Sequence, residues 1–517
     1  MNREAHVPGI HPDRNTVSWA YLLLVCFSAS MVYLLLPDAL GFKLIAFIAL
    51  WCGAAAVVRV EISHPYIWFG FFYMLYSISG PVLHFYDIHP YGVWGGRDVR
   101  MLDFSGVLDL EFACFLTFLI IVGPVVRDLR PIARSRDNRY VDGAQAIAWI
   151  AGALVLVVLA EISMSGFSSK GDVTVYGSWL TRLSFAYSIL ALAACIVMFG
   201  LFAKDKPREA FLVLGAMLVF GYIVIYISGQ RNFLFRFALL AVFVVHFTHR
   251  RITWPIALAL TIGGIAMISV LAAEKMALTS DAGQSASVLE GLPGVIVSYM
   301  TKHPEAFFNP TGENYWHIFL LLTLGDELMT ASNNLALIMD RIPIDMPYMN
   351  GSPLFSTDIA RILLPGFLLP GEPATTAAIY QATFFTKSVE QGLGPGFSLL
   401  GHGYMHFGSL GAVGIIAFYS TVIRLLYRAA ESKLLWFLCF CAFIPIAVYS
   451  TRMDLVAAAS QGIKHVFLPI LAMSVVSYMR RGSGVAGPPA GARPTGLTEI
   501  KPAGEKLAAA ARGKGPK

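Results

Sequence analysis

The sequence predicts an all-α polytopic membrane protein, and three observations predict it. Hydrophobic residues fill 56% of 517 positions and charged residues only 14%, with a mean hydropathy of +0.65; a soluble domain carries roughly 25% charge. Runs of about 20 apolar residues recur along the chain, the length that crosses roughly 30 Å of hydrocarbon at 1.5 Å per residue. The runs are continuous rather than alternating, which argues against a membrane β-barrel.

About twelve spans are expected, near 16–36, 39–58, 65–84, 107–126, 144–161, 180–202, 210–227, 232–248, 254–273, 408–427, 434–450 and 462–479. The first follows a polar start, is too long for a signal-peptide core and is read as retained. Alternate connections carry the basic residues: Arg59, five arginines against two aspartates over 127–139, 204–208, His249-Arg250-Arg251, 424–433, and a tail from Arg480 with eight Lys/Arg against two Glu. The positive-inside rule makes these connections and both termini cytoplasmic. The chain then divides into spans 1–9 (1–273), a large external loop with short helices (274–407), spans 10–12 (408–480) and a disordered basic tail (481–517).

The loop holds twelve Asp/Glu against five Lys/Arg over 274–406, acidic where the other face is basic. Its aromatic residues, among them Tyr315, Trp316, Phe355, Phe367 and Tyr380, are too many for a chain that stays unfolded. Helical patterns lie near 284–302 and 326–340. The apolar stretch 317–324 is too short to span and is expected at the interface or against the bundle. A loop of this length with apolar content of its own points to function.

Other classes are disfavoured. The net charge of +6 sits in short loops and tails, so nucleic acid is not an expected partner. All six cysteines fall in apolar spans and read as buried small hydrophobes. The chain has no P-loop, GxGxxG, HExxH or GxSxG pattern, and few charges inside spans, unlike a proton-coupled pump. No internal repeat is evident, which gives no support to an inverted-repeat transporter. No cofactor and no metal are expected.

Three sets of residues can carry chemistry. Ser228-Gly229-Gln230-Arg231 forms a polar turn between two spans, where the planar fork of Arg231 suits phosphate. His402 and His406 stand four apart, on one face of a helix; that is also a zinc-ligand spacing, but no third ligand is obvious in the sequence. Either histidine suits a general base at neutral pH, and both also suit an interfacial residue bonded to backbone or headgroups. Arg341, Arg361, Lys387 and Arg452 complete the external cations, two or three of which would together hold a diphosphate. Glu313, Asp326, Glu327 and Asp358 are carboxylates suited to sugar hydroxyls. Gly408 and Gly411 open a span, where small residues permit close packing.

At these residues the chain resembles the O-antigen polymerases, or oligosaccharide repeat-unit polymerases, relatives of the O-antigen ligases. The resemblance rests on the turn ending in Arg231, on Tyr348-Met349-Asn350-Gly351-Ser352-Pro353 through Pro365-Gly366, and on Gly396-Phe397-Ser398 through Gly401-His402-Gly403-Tyr404-Met405-His406-Phe407-Gly408. His402 or Gly403 stands where the family often has glutamate, and His406 where asparagine is usual. The resemblance implies a glycosyltransferase of the bacterial inner membrane that polymerises undecaprenyl-diphosphate-linked oligosaccharides at the periplasmic face. Donor and acceptor would both be lipid-linked, with a chain-length regulator and a flippase as partners. It implies His402, then His406, as base, and Arg231, Arg452 and Arg361 on the diphosphate. An O-antigen ligase or a flippase of lipid-linked glycans are the alternatives.

Overall fold

The computed structural model describes residues 14–35, 40–89, 92–133, 140–164, 173–228, 232–253, parts of 255–264, 320, 323–325, 328–363, 374–386 and 396–482. Within them the protein is a helical bundle with one two-stranded hairpin, Val93–Trp94 paired with Arg97–Asp98. Among the described residues nine helices are long and apolar enough to cross a membrane, and two shorter apolar ones, Phe235–Thr248 and Leu434–Ser450, accompany them. These eleven account for every expected span except the ninth, 254–273, which lies largely outside the described residues. The tail from 483 and the expected helix near 284–302 lie outside them as well, as does most of the apolar stretch 317–324.

The helices are α1 (Arg14–Leu35), α2 (Leu40–Val57), α3 (Pro65–Phe85), α4 (Phe104–Val122), α5 (Arg130–Ala133), α6 (Val141–Met164), α7 (Val173–Ala203), α8 (Pro207–Ser228) and α9 (Asn232–Thr248). Then come α10 (Met329–Arg341), α11 (Ile359–Leu363), α12 (Thr376–Phe384), α13 (Leu399–Ala429), α14 (Leu434–Ser450), α15 (Leu455–Gly462) and α16 (Leu468–Gly482). A π-turn over Ile463–Phe467 joins the last two. Helix α3 starts sharply because His64 accepts a hydrogen bond from the Tyr66 N–H and Pro65 needs no donor partner. It is the central span, with 72% of its apolar window buried against 22% for α1. Its aromatic face packs on α4 through Phe69, Tyr73, Phe115 and Phe118, and α4 lies in turn along α13.

Among the described spans Lys43 is a buried cation. It is 4% exposed, with its Nζ 2.6 Å from the Asp109 carboxylate and 2.7 Å from the Ser105 hydroxyl; the Tyr33 hydroxyl donates to the same carboxylate at 2.8 Å. Asp109→Ala leaves this ammonium enclosed without its counter-charge. The expected cost is roughly 2–3 kcal/mol, because Asp109 is half exposed and water enters on its side. Thermal unfolding in detergent checks it, and an unchanged midpoint removes the pair from the account of stability.

Helix α10, placed at 326–340 by the sequence pattern, docks between α3 and α4 and brings part of the loop onto the bundle. Ser332 accepts from the Gly80 N–H at 3.1 Å. Asn334 is a junction of three segments: its side-chain oxygen accepts from Trp94 Nε1 at 2.9 Å and from the Tyr380 hydroxyl at 2.6 Å, while its amide donates to the Gly396 carbonyl. Arg97 closes the hairpin onto α10 through Asp340 at 2.8 Å.

Candidate functional site

The tenth span, expected to open at 408, is preceded by helix. Ser398 caps α13 by accepting from the Gly401 N–H at 3.1 Å, so the helix begins at Leu399 and carries both histidines. It breaks at Phe407 (φ −140°, ψ 24°) and Gly408 (φ 62°, ψ −148°), then continues to Ala429. Gly408 takes a conformation that a Cβ disfavours. The two halves press together through glycine: a Cβ on Gly403 would lie 2.3 Å from the Gly411 carbonyl oxygen, and one on Gly411 2.0 Å from the Gly403 oxygen. The small residues thus serve packing of the helix against itself, not only against neighbours.

The segment 348–358 folds onto this break. The Met349 N–H donates to the Met405 carbonyl at 2.9 Å. The Tyr348 hydroxyl lies 3.1 Å from where a Gly408 Cβ would stand, and the left-handed Gly351 (φ 81°) sits against Phe407. Two stretches some fifty residues apart in sequence become one surface, and the second delivers Asp358 at the end of a π-turn, Leu354–Asp358.

Asp358, His402 and His406 are each fully buried. His402 Nε2 is 3.2 Å from Asp358 Oδ2. The Thr376 backbone N–H donates to Asp358 Oδ1 at 3.1 Å, and its hydroxyl lies 2.5 Å from Oδ2 and 2.9 Å from His406 Nε2. A hydroxyl has one proton, so with Thr376 donating to the carboxylate His406 must donate from Nε2. His402 presents Nε2 to the same carboxylate. Both Nδ1 atoms, and His402 Nε2 with them, are buried without a hydrogen-bond partner among the described residues, so His402 meets the carboxylate by close approach and not by a formed hydrogen bond. Burial pushes the Asp358 carboxyl up, but its contact with His402 and the hydrogen bonds from Thr376 outweigh this and hold it below the usual carboxylate range. One carboxylate thus lies against His402 and is linked to His406 through the Thr376 hydroxyl.

The same groups are a candidate metal set. One donor atom from each of Asp358, His402 and His406 lies within 4.8 Å of the others, so the fold supplies the third ligand type that the two-histidine spacing lacks in sequence. Two histidines and a carboxylate suit zinc or a similar divalent ion. Thr376 already satisfies the carboxylate and one imidazole without an ion.

The turn after α14 meets this cluster. Asp454 caps α15 by accepting from the Ala457 N–H at 2.8 Å, and its charge is felt by both His402 and Asp358; burial raises its carboxyl above the ordinary value. Helix α11, carrying Arg361, packs against α15. Arg452, from the same turn, lies over the Tyr449 ring at 5.2 Å from its centroid, and Arg236 of α9 over the same ring at 5.1 Å. Arg452 Nε is also 3.5 Å from the Cβ position of Gly396, close to the α13 cap.

The structure therefore brings together His402, His406 and the turn of Arg452, with Arg361 on an adjoining helix. Arg231 lies outside the described residues, although Arg236, on the next helix turns, reaches Tyr449. Glu313, Asp326, Glu327 and Lys387 also lie outside them. Arg341 is not part of the cluster and is ion-paired with Asp345. Asp358 differs from its expected role: it is enclosed against His402 and Thr376 rather than open to sugar hydroxyls, because the loop that carries it is folded against α13 and α15. Thr376, Arg236 and Asp454 are absent from the sequence reading; the N-cap position of Asp454 before an apolar run and the lone charge of Arg236 inside a span are the signals that could have flagged two of them. No family model, curated protein or solved structure matches this chain.

Proposed function

We propose that this membrane protein is a glycosyltransferase that polymerises polyprenyl-diphosphate-linked oligosaccharides on the periplasmic face of a bacterial inner membrane. The observation that carries the reading is the buried Asp358–His402 pair, set where the folded loop meets the ends of the spans. A histidine whose ring stands against a buried carboxylate is suited to take a proton from an acceptor hydroxyl, because the carboxylate stabilises the imidazolium that forms. That hydroxyl attacks the anomeric carbon of the donor, the bond from that carbon to the diphosphate oxygen breaks, and the lipid diphosphate leaves with the electron pair. Arg452, with Arg361 and Arg236 on neighbouring elements, supplies cations suited to the growing charge on the diphosphate, the role the sequence gives to Arg231 as well. The apolar walls suit a polyprenyl tail.

Deleting the gene and separating the surface polysaccharide on a gel tests the reading. Loss of a polymerase leaves a single repeat unit attached, loss of a ligase leaves none, and loss of a flippase strands intermediates on the cytoplasmic side. Normal long chains in the deletion strain refute polymerisation. A second reading, metal-assisted transfer, is favoured by the three-donor cluster. It is separated by adding a chelator to membranes making polymer: unchanged synthesis is expected for the histidine base, and a loss reversed by zinc assigns the cluster to a metal.

A further inference from the structure

A second polar site lies at the other end of the bundle. The part of α13 beyond its break, about twenty residues, puts roughly 30 Å between that end and the histidine cluster. There a cavity of about 530 Å³ opens between the ends of α1, α2, α4 and α9. Four arginines line it, Arg59, Arg127, Arg130 and Arg251, against Glu61 and Asp128. Roughly 300–1,000 Å³ is the ordinary size of a small-molecule site.

The charges are not used up among themselves. Arg251 pairs with Glu61, which is also 3.5 Å from His246 Nε2. The hydrogen bond from His246, with Arg251 and Arg130 nearby, keeps Glu61 ionised below its usual range although burial opposes this. Arg127 pairs with Glu431, outside the cavity lining. Asp128 is engaged in capping α5 through the Arg130 N–H at 3.2 Å. Arg59 has no ion pair among the described residues, and Arg130 Nη2 is buried without a hydrogen-bond partner there. Arg59 and Val60 are consecutive non-glycine residues in the left-handed region, at φ 55° and 52°, a backbone that L side chains seldom adopt unless the surroundings impose it. That turn sets Arg59 on the cavity wall beside Glu61.

We infer that this cavity binds a phosphate group, held by Arg59 and Arg130, with Arg127 and Arg251 adding to the field. Guanidinium forks match phosphate oxygens two at a time, and basic pockets between span ends are suited to anionic headgroups. The phosphate can belong to a phospholipid headgroup or be soluble; the chemistry recognised is the same. The site needs no part of the histidine cluster and stands whether or not the chain transfers sugars.

The test uses the full chain purified in detergent, with inorganic phosphate as probe at matched ionic strength, and native mass spectrometry after extraction from phosphatidylcholine nanodiscs with and without phosphatidylglycerol. The variant is Arg59→Gly with Arg130→Ala, since glycine keeps the left-handed turn while removing the charge. Phosphate is expected to raise the unfolding midpoint of the wild type, and the double variant to bind about tenfold or more weakly. Retention of phosphatidylglycerol without a response to inorganic phosphate assigns the group to a lipid and supports the site equally. Arg208→Ala removes an exposed cation in the first turn of α8 that is not part of the cavity lining. Equal weakening by Arg208→Ala, or no binding of either probe to the wild type, overturns the inference.

Discussion

His402→Ala is expected to abolish chain growth while the protein stays in the membrane at its normal level. Removing a positioned general base slows transfer by roughly 10²–10⁴-fold, enough to leave single repeat units on a gel. The imidazole is fully buried and in contact with a fully buried carboxylate, so its position is set before substrate arrives. Asp358→Asn should lower activity to a similar extent, because the neutral amide no longer stabilises the imidazolium formed when His402 takes the proton. His406→Ala should cost less, since Thr376 keeps its bonds to Asp358. Long polymer made by His402→Ala at normal protein level would rule out this histidine as base. Activity lost together with protein level would place His402 in folding instead.

The second large effect concerns stability. Gly411→Ala forces a methyl group to within 2.0 Å of a backbone oxygen of the same bent helix, and neither half can move without opening the break at Phe407–Gly408. Overpacking of this kind costs roughly 3 kcal/mol or more when the opposing atom is backbone. The expected result is a large fall in the unfolding midpoint in detergent and in the amount of protein recovered. Gly414→Ala, three residues on, meets nothing within 4 Å and gains helix propensity of about 1 kcal/mol, so it should be neutral or stabilising. Similar behaviour of the two variants would contradict the close contact between the helix halves.

The sequence is explicit about the spans and much less so about the site. Long apolar runs between basic connections are a one-dimensional signal, and they locate eleven helices, all but three of them to within a few residues at both ends. The start of α13 is misplaced because its first eight residues mix glycine, histidine and tyrosine, which lowers the hydropathy, while the cap at Ser398 is a local bond that hydropathy does not register. His402 and His406 are legible as a pair from their spacing alone. Their partner Asp358 is not, since it stands 44 positions earlier among several acidic loop residues and only the folding of 348–358 onto the helix break selects it. Thr376 gives no signal at all: a threonine that starts a short helix is ordinary until its hydroxyl is found between a carboxylate and an imidazole. Arg236 reads as one charge inside an apolar helix, and its relation to Arg452 exists only through the shared Tyr449 ring.

The junction at Asn334 bears on the order in which the chain is built. Its side chain ties together Trp94, Tyr380 and Gly396, and its helix is already anchored on α3 through Ser332 and Gly80. Synthesis runs from the N-terminus, so the receiving face of α3 and α4 is in place well before residue 334 emerges. Asn334 can then wait on that face with Trp94 bound until Tyr380 and Gly396 arrive. The site is thus closed by the last third of the polypeptide on a platform made by the first. A ribosome-bound chain halted between 341 and 396 should hold α10 docked, with the histidine helix not yet made.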